Sequence, residues 1–286
     1  MRVKAKFVVI VMVNTWLALG TAAAADLKAE TVTAFEQYVA QAESRINQEH
    51  GSPESFLRID SLPAAQRSEI EARLRQGDIL IDKVGESPTK LPGALVHHWV
   101  GTAFVPSATL AQTLAVVRDY DHLWQYYQPE VVRSKLLSQQ GDDLRISMRL
   151  RKHKAVTVVL DTEYAVHNGQ LDPEHRYGIS RSAHIVELAN PDQADEHPLP
   201  EGHDHGFLWR LNTYWSYVQT SDGVFMQCEA ISLTRDVPSG LGWLIGPFIH
   251  GLPRESLQFT LNSTRKAVAQ HGVTNASAVP RQAHEQ

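Results

Sequence analysis

Cysteine is nearly missing from this chain: Cys228 is the one thiol in 286 residues. An intramolecular disulfide is therefore impossible, and a zinc site built on several thiolates is excluded. Stability must come from a packed core. Cys228 itself lies between Met226 and Ala230 at strand spacing, where a thiol reads as a small buried apolar side chain.

Apolar runs of membrane-spanning length are missing as well. The first residues carry Arg2, Lys4 and Lys6, then an apolar stretch from Phe7 to Leu19, then Ala23 and Ala25 at A-x-A spacing. That order is the order of a secretory signal peptide. Its apolar part contains Asn14 and is shorter than the roughly 20 residues a bilayer demands. Cleavage after Ala25 and export to the periplasm or the extracellular space are expected. The apolar segment from Leu241 to Ile249 is broken by Gly242, Gly246 and Pro247, so an integral membrane protein is not expected.

Positive charge is scarce once the leader is set aside. Residues 1–25 hold three of the 27 basic residues and none of the 32 acidic ones, which leaves the remainder at a net charge of −8. Such a surface repels phosphate backbones, so nucleic acid is not an expected partner. Catalytic motifs are absent too: there is no G-x-S-x-G, no H-E-x-x-H and no Gly-rich phosphate loop, and no cofactor is expected.

What the chain does contain is periodicity. From Leu27 to about Asn47 the residues Val32, Phe35, Val39, Ala42 and Ile46 mark one face of an amphipathic helix. A second helix is predicted from Pro63 to Gly77, followed by a short strand, GDILIDKV. Residues 85–93, GESPTKLPG, read as a linker. Alternating runs then predict strands over 94–105, 130–138, 143–151, 156–166, 175–188, 206–218 and 223–235. Between the first two lies one internal helix capped by Ser107. The turn signals HNG, near 168, and SDG, near 222, fit tight hairpins. A last helix is predicted from Pro253, with Leu257, Leu261, Thr264 and Val268 on one stripe.

A sheet of this size cannot leave its apolar face wet, and the last helix is the element long enough to cover it. The stretch SLTRDVPSGLGWLIGPFIHGLPRESLQFTL, residues 232–261, links the two. Here Arg235 to Gly251 is expected to be a hinge, with Trp243 and Phe248 folding over the mouth of a hydrophobic gap.

This element order resembles the START-like superfamily, also called SRPBCC, the polyketide cyclase-like helix-grip proteins. The resemblance covers residues 94–271 and rests on the helix ending DYDHLWQYYQPEVVRSKLL and on SLTRDVPSGLGWLIGP…LPRESL. It implies an α+β helix-grip fold, a curved antiparallel sheet wrapped around a long C-terminal helix, with a cavity between them. It does not imply one function, because members include carriers, sensors and enzymes. The expected division is a signal peptide (1–25), a helical N-terminal extension and linker (26–90), the START-like domain (91–272) and a flexible tail (273–286).

Candidate site residues follow from the strand faces. Alternation places Trp209, Thr213 and Trp215 inward, together with Phe207, Leu211 and Tyr217, where large rings either fill the gap or line it. Tyr164 projects among apolar neighbours and can orient a ligand oxygen or bond to a neighbouring strand. His98 shares a face with Val96, Val100 and Phe104, a setting in which a lone His is more often a core residue than a catalyst. Charges at strand centres are costly unless paired. Glu229 and Arg181 either pair across the cavity or sit in ion pairs on the outer face, and the outer face is preferred. The loop at 190–206, rich in His and acids, matches no regular metal spacing, so no metal is expected.

The sequence thus predicts an exported protein that binds a small hydrophobic molecule, lipid-like or polyketide-like, through His98, Tyr164, Trp209, Thr213, Trp215, Glu229, Trp243 and Phe248. Peripheral contact with a membrane or an envelope partner goes with that reading. The alternative is a cyclase- or hydrolase-type enzyme in which Tyr164, His98 and Glu229 converge as acid and base groups.

Overall fold

A computed structural model describes residues 27–153, 157–200, 204–236 and 242–277, with side chains in the last stretch from 251 to 271. The signal-peptide segment 1–25 lies outside the described residues. The chain opens with α1 (Ala29–Glu49), which buries Phe35, Val39, Ala42 and Ile46 as its periodicity predicts. Two single turns of 3-10 helix lead to α2 (Ala64–Arg75). Gly77 then turns the chain at φ +102.

The strands are β1 (Leu80–Lys83), β2 (Thr89–Leu91) and β3 (Ala94–Pro106), then β4 (Val131–Gln140), β5 (Asp143–His153) and β6 (Thr157–Gln170). They continue with β7 (His175–Ala189), β8 (His197–Pro198), β9 (Arg210–Gln219) and β10 (Gly223–Arg235). The segment read as a linker contains β2, which pairs with β3 through Thr89↔Val96. The expected single internal helix is two, α3 (Leu110–Val117) and α4 (Leu123–Tyr126). Its cap is Thr109 rather than Ser107. The Thr109 hydroxyl accepts from the Gln112 amide at 3.2 Å, and the Gln112 side chain accepts from the Thr109 amide at 2.9 Å, a reciprocal capping box.

The SDG signal is a hairpin turn, closed by the Thr220 amide on the Gly223 carbonyl at 2.8 Å. The HNG signal is not: Asn168 and Gly169 stay in β6 and pair with Gly178 and Tyr177. Gly169 is there for space, since a Cβ would stand 2.1 Å from the Tyr177 ring. The chain turns four residues later, where Asp172 accepts from the amides of Glu174 and His175.

One antiparallel sheet results, in the order β1-β3-β10-β9-β7-β6-β5-β4, with β2 added at β3 and β8 at β7. Register shifts in β4–β5 and β6–β7 help the long strands bend. Helix α5 (Gly242–Ser277) crosses the concave face. Its stripe of Leu257, Leu261, Thr264 and Val268 is buried, as predicted. The helix begins at Gly242, eleven residues before Pro253, so the second half of the expected hinge is helical and residues 273–277 are helix rather than tail. The side chains of Trp243 and Phe248 lie outside the described residues. With sheet order and helix seat both in place, the fold is the α+β helix grip.

The close seat of α5 depends on Gly101 in β3, where an added Cβ would lie 2.5 Å from Leu261 Cδ1 and 3.3 Å from Leu257. Gly101→Val is therefore expected to lower stability by about 1–3 kcal/mol, the usual cost of overpacking. Urea unfolding measures it, and an unchanged midpoint would show that α5 does not press on β3.

Around β3 and β10 the sheet is buried on both faces. Along β3 every residue from Ala94 to Val105 is buried. Trp99, Ala103 and Val105 pack with Leu257, Leu261 and Val268 of α5, while Ala94 and Val96 pack with Phe35, Val39 and Ile46 of α1. The N-terminal helix thus covers the convex side of the same strands that α5 covers from within.

Candidate functional site

Strands β5, β6, β7 and β9 diverge from α5 and leave a cavity of about 670 Å³. Strand register defines its two ends. At one end Asn168, Gly178, Trp215 and Cys228 lie side by side across β6, β7, β9 and β10. At the other, Lys152 pairs with Val158, and Phe207, Leu208, Leu252 and Pro253 complete the rim. Ile146, Met148, Leu160, Leu211 and Phe259 form the wall between them, so the lining is mainly apolar.

Polar atoms on this wall are few, and their partners are definite. The Tyr127 hydroxyl meets Thr264 Oγ1 at 2.8 Å and fixes α4 to α5. Asn168 Nδ2 donates to the Tyr120 hydroxyl at 3.4 Å. Tyr164 is 2 % exposed, and its hydroxyl has no hydrogen-bond partner among the described residues. Burial pushes its pKa up to about 12, with the nearby Thr162 hydroxyl opposing. The phenol stays protonated at neutral pH, able to donate to or accept from whatever fills the space.

Of the predicted site residues, Tyr164, Thr213 and Trp215 line this cavity. Trp215 stacks on Tyr217 at 5.7 Å, and both residues line the space. Trp209 does not line it. The strand starts at Arg210, so the alternation does not govern residue 209. Its ring packs against the α1 cluster, and its Nε1 donates to Asp204 at 3.0 Å.

His98 and Glu229 are also on the other side of the sheet. Cys228, Ala230, Ser232 and Thr234 of β10 face the cavity, which turns Glu229, Ile231 and Leu233 toward α1. Glu229 Oε1 accepts from His98 Nε2 at 2.5 Å and from Arg45 of α1. Arg45 also holds Glu49 at 2.8 Å, and the Tyr38 hydroxyl meets His98 Nδ1 at 2.9 Å. Burial alone would raise the Glu229 pKa, but the hydrogen bonds and charges of His98 and Arg45 outweigh it and hold the carboxyl below its ordinary range. Arg181 pairs with Glu43 of α1 at 2.6 Å. Both strand-centre charges are therefore outer-face ion pairs: α1 partners each of them, and Glu229 is also paired across strands with His98 of β3. Tyr164, His98 and Glu229 cannot converge on one substrate atom, because the sheet lies between them.

Arg118, Asn168, Tyr127 and Phe259 escaped the sequence reading. The HNG pattern predicts a turn at Asn168, and the others sit in or at the ends of helices, whose aspect toward the sheet no strand alternation reveals. In the loop after β7, His205 pairs with Glu187 at 2.6 Å and Glu196 with Arg149 at 2.9 Å. Among the described residues no group of three or more His, Cys, Asp or Glu side chains is placed to hold a metal ion, and no helix is long and apolar enough to cross a membrane.

No protein-family model matches the chain, and no curated protein matches it. Solved structures do. A STAR-related lipid transfer protein from Xanthomonas axonopodis is similar at 18 % identity and TM-score 0.43, over 66 % of this chain and 98 % of that one. A START superfamily protein from Mycobacterium smegmatis is similar at 15 % identity and TM-score 0.41, over 61 % and 98 %. The Zhui aromatase/cyclase from a Streptomyces species is similar at 12 % identity and TM-score 0.37, over 67 % and 99 %. The helix-grip fold of this chain itself rests on its own strand order, on the α5 stripe and on the cavity between them.

Proposed function

We propose that this protein is an exported binding protein that holds a small hydrophobic molecule, lipid-like or polyketide-like, in the cavity under α5 without transforming it. The observation that carries the proposal is the cavity itself: about 670 Å³, mainly apolar, with the buried Tyr164 hydroxyl left without a hydrogen-bond partner among the described residues. That volume is in the range of small-molecule sites, where apolar burial supplies affinity and a few polar groups supply orientation. The signal-peptide pattern of residues 1–25 supports export, and contact with a membrane or an envelope partner would let the protein collect and deliver a poorly soluble cargo. The enzyme alternative loses its proposed base and acid, since His98 and Glu229 lie across the sheet from Tyr164.

Native mass spectrometry of the protein purified from an exporting host tests the proposal. A bound species is expected that survives gentle ionisation, leaves on denaturation and extracts into organic solvent. If nothing co-purifies and the stripped protein also takes up no neutral dye such as Nile red, the binding reading fails.

A further inference from the structure

Arg118 caps the C-terminal end of α3 and lines the cavity. Its backbone amide bonds to Leu114 at 3.0 Å. Its guanidinium makes no hydrogen bond or ion pair with any described residue, and the Nε is buried without a partner. A guanidinium keeps its charge whatever its surroundings and presents a rigid fork of donors, so leaving it unfilled beside an apolar wall is costly.

The neighbouring carboxylate does not serve it: Asp119 takes His122 Nδ1 at 2.8 Å and the Tyr126 hydroxyl at 3.0 Å. The other cations on the lining are engaged, Lys152 with Glu130 and Arg151 with Asp192. Near Arg118 stand the phenols of Tyr120 and Tyr217, whose pKa values burial raises, with the Arg118 charge acting in the opposite sense on both. The Asn168 amide reaches Tyr120 from the same end. From there the lining runs on through Ile146, Leu160, Leu211 and Phe259 without another free charge.

We propose that the ligand is an anionic amphiphile whose carboxylate or phosphate oxygens accept from the Arg118 guanidinium beside Tyr120 and Asn168, while its hydrocarbon body lies along the apolar wall. This rests on the binding reading above and narrows it to one chemical class. Paired oxygens match the guanidinium fork, and charge-assisted bonds of this kind are about twice as strong as neutral ones. Tyr164, farther along β6, is free to bond a second oxygen on the body of the molecule.

The test is calorimetric titration of the purified, ligand-stripped protein with laurate, dodecyl phosphate and dodecanol, which share one chain, and with acetate and inorganic phosphate, which lack it. The two anionic chains are expected to bind at least about tenfold more tightly than dodecanol, and the tail-less anions not measurably. Arg118→Gln is expected to bring the anionic chains down to dodecanol, and Arg118→Lys to restore part of the difference. If dodecanol binds as tightly as laurate, the cavity reading stands and the head-group proposal is overturned. If inorganic phosphate binds as tightly as dodecyl phosphate, the site takes a free anion and the amphiphile is overturned. If no chain binds, both readings fall. The head-group comparison is made in the unaltered protein, so it decides the matter even if an Arg118 variant does not fold.

Discussion

Glu229→Ala is expected to lower the free energy of unfolding by about 3–5 kcal/mol, because it breaks a buried pair, strips the buried His98 Nε2 of its acceptor and leaves Arg45 with Glu49 alone. Glu229 is 1 % exposed and holds two partners at once, His98 from β3 and Arg45 from α1. It is thus the pin that joins the N-terminal helix to the centre of the sheet. A loss of that size is a large part of the 5–15 kcal/mol typical of a whole domain.

Glu229→Gln keeps the shape and one acceptor and should cost less. In a double-mutant cycle Arg45→Ala and Glu229→Ala should be strongly non-additive. The pH dependence has a definite sign. The folded carboxyl titrates below its ordinary value of 4.5, so its contribution is fully present above that value. It is lost as the pH falls through the lower, folded pKa. Urea unfolding of the wild type and of Glu229→Gln should therefore converge on acidification. A loss below about 1 kcal/mol for Glu229→Ala would place this pair among solvated ion pairs and remove the pinning role.

Ala230→Phe is expected to abolish ligand retention while leaving the fold standing. Residue 230 adjoins Glu229 in sequence, but its side chain faces the cavity, opposite Thr213 on β9. A phenyl ring there occupies space that is already empty, so it escapes the overpacking penalty that Gly101→Val incurs. The measurement is extracted ligand per protein together with the thermal midpoint. The variant should lose at least about nine-tenths of its bound ligand, equivalent to a tenfold or greater loss of affinity, at an unchanged or raised midpoint. Trp209→Ala is the contrast: it opens a hole under α1 and should destabilise without impairing uptake. If Ala230→Phe retains its ligand in full, the cargo does not occupy the space between β10 and α5.

Local periodicity was enough to find nearly every element and the inward stripe of α5. Alternation along a strand is a rule about adjacent residues, so it assigned Thr213, Trp215 and Tyr164 to one side of the sheet from sequence alone. It failed at Trp209, one residue before β9 begins. The turn signal failed at Asn168, where an asparagine-glycine pair continues as strand with Tyr177 closed over Gly169. Which side counts as the inside was a different matter. A single sequence shows that His98 and Glu229 share a face with apolar neighbours, and it reads the same whether that face lines a cavity or lies under a helix. Only the tertiary structure brought α1, some 180 residues earlier in the chain, onto β10, and so made those two residues a structural pin. It likewise left Arg118 Nε beside the cavity without a partner among the described residues. The physical reason is that periodicity is set by backbone geometry over a few residues, whereas burial and charge pairing are set by long-range packing, which no local pattern encodes.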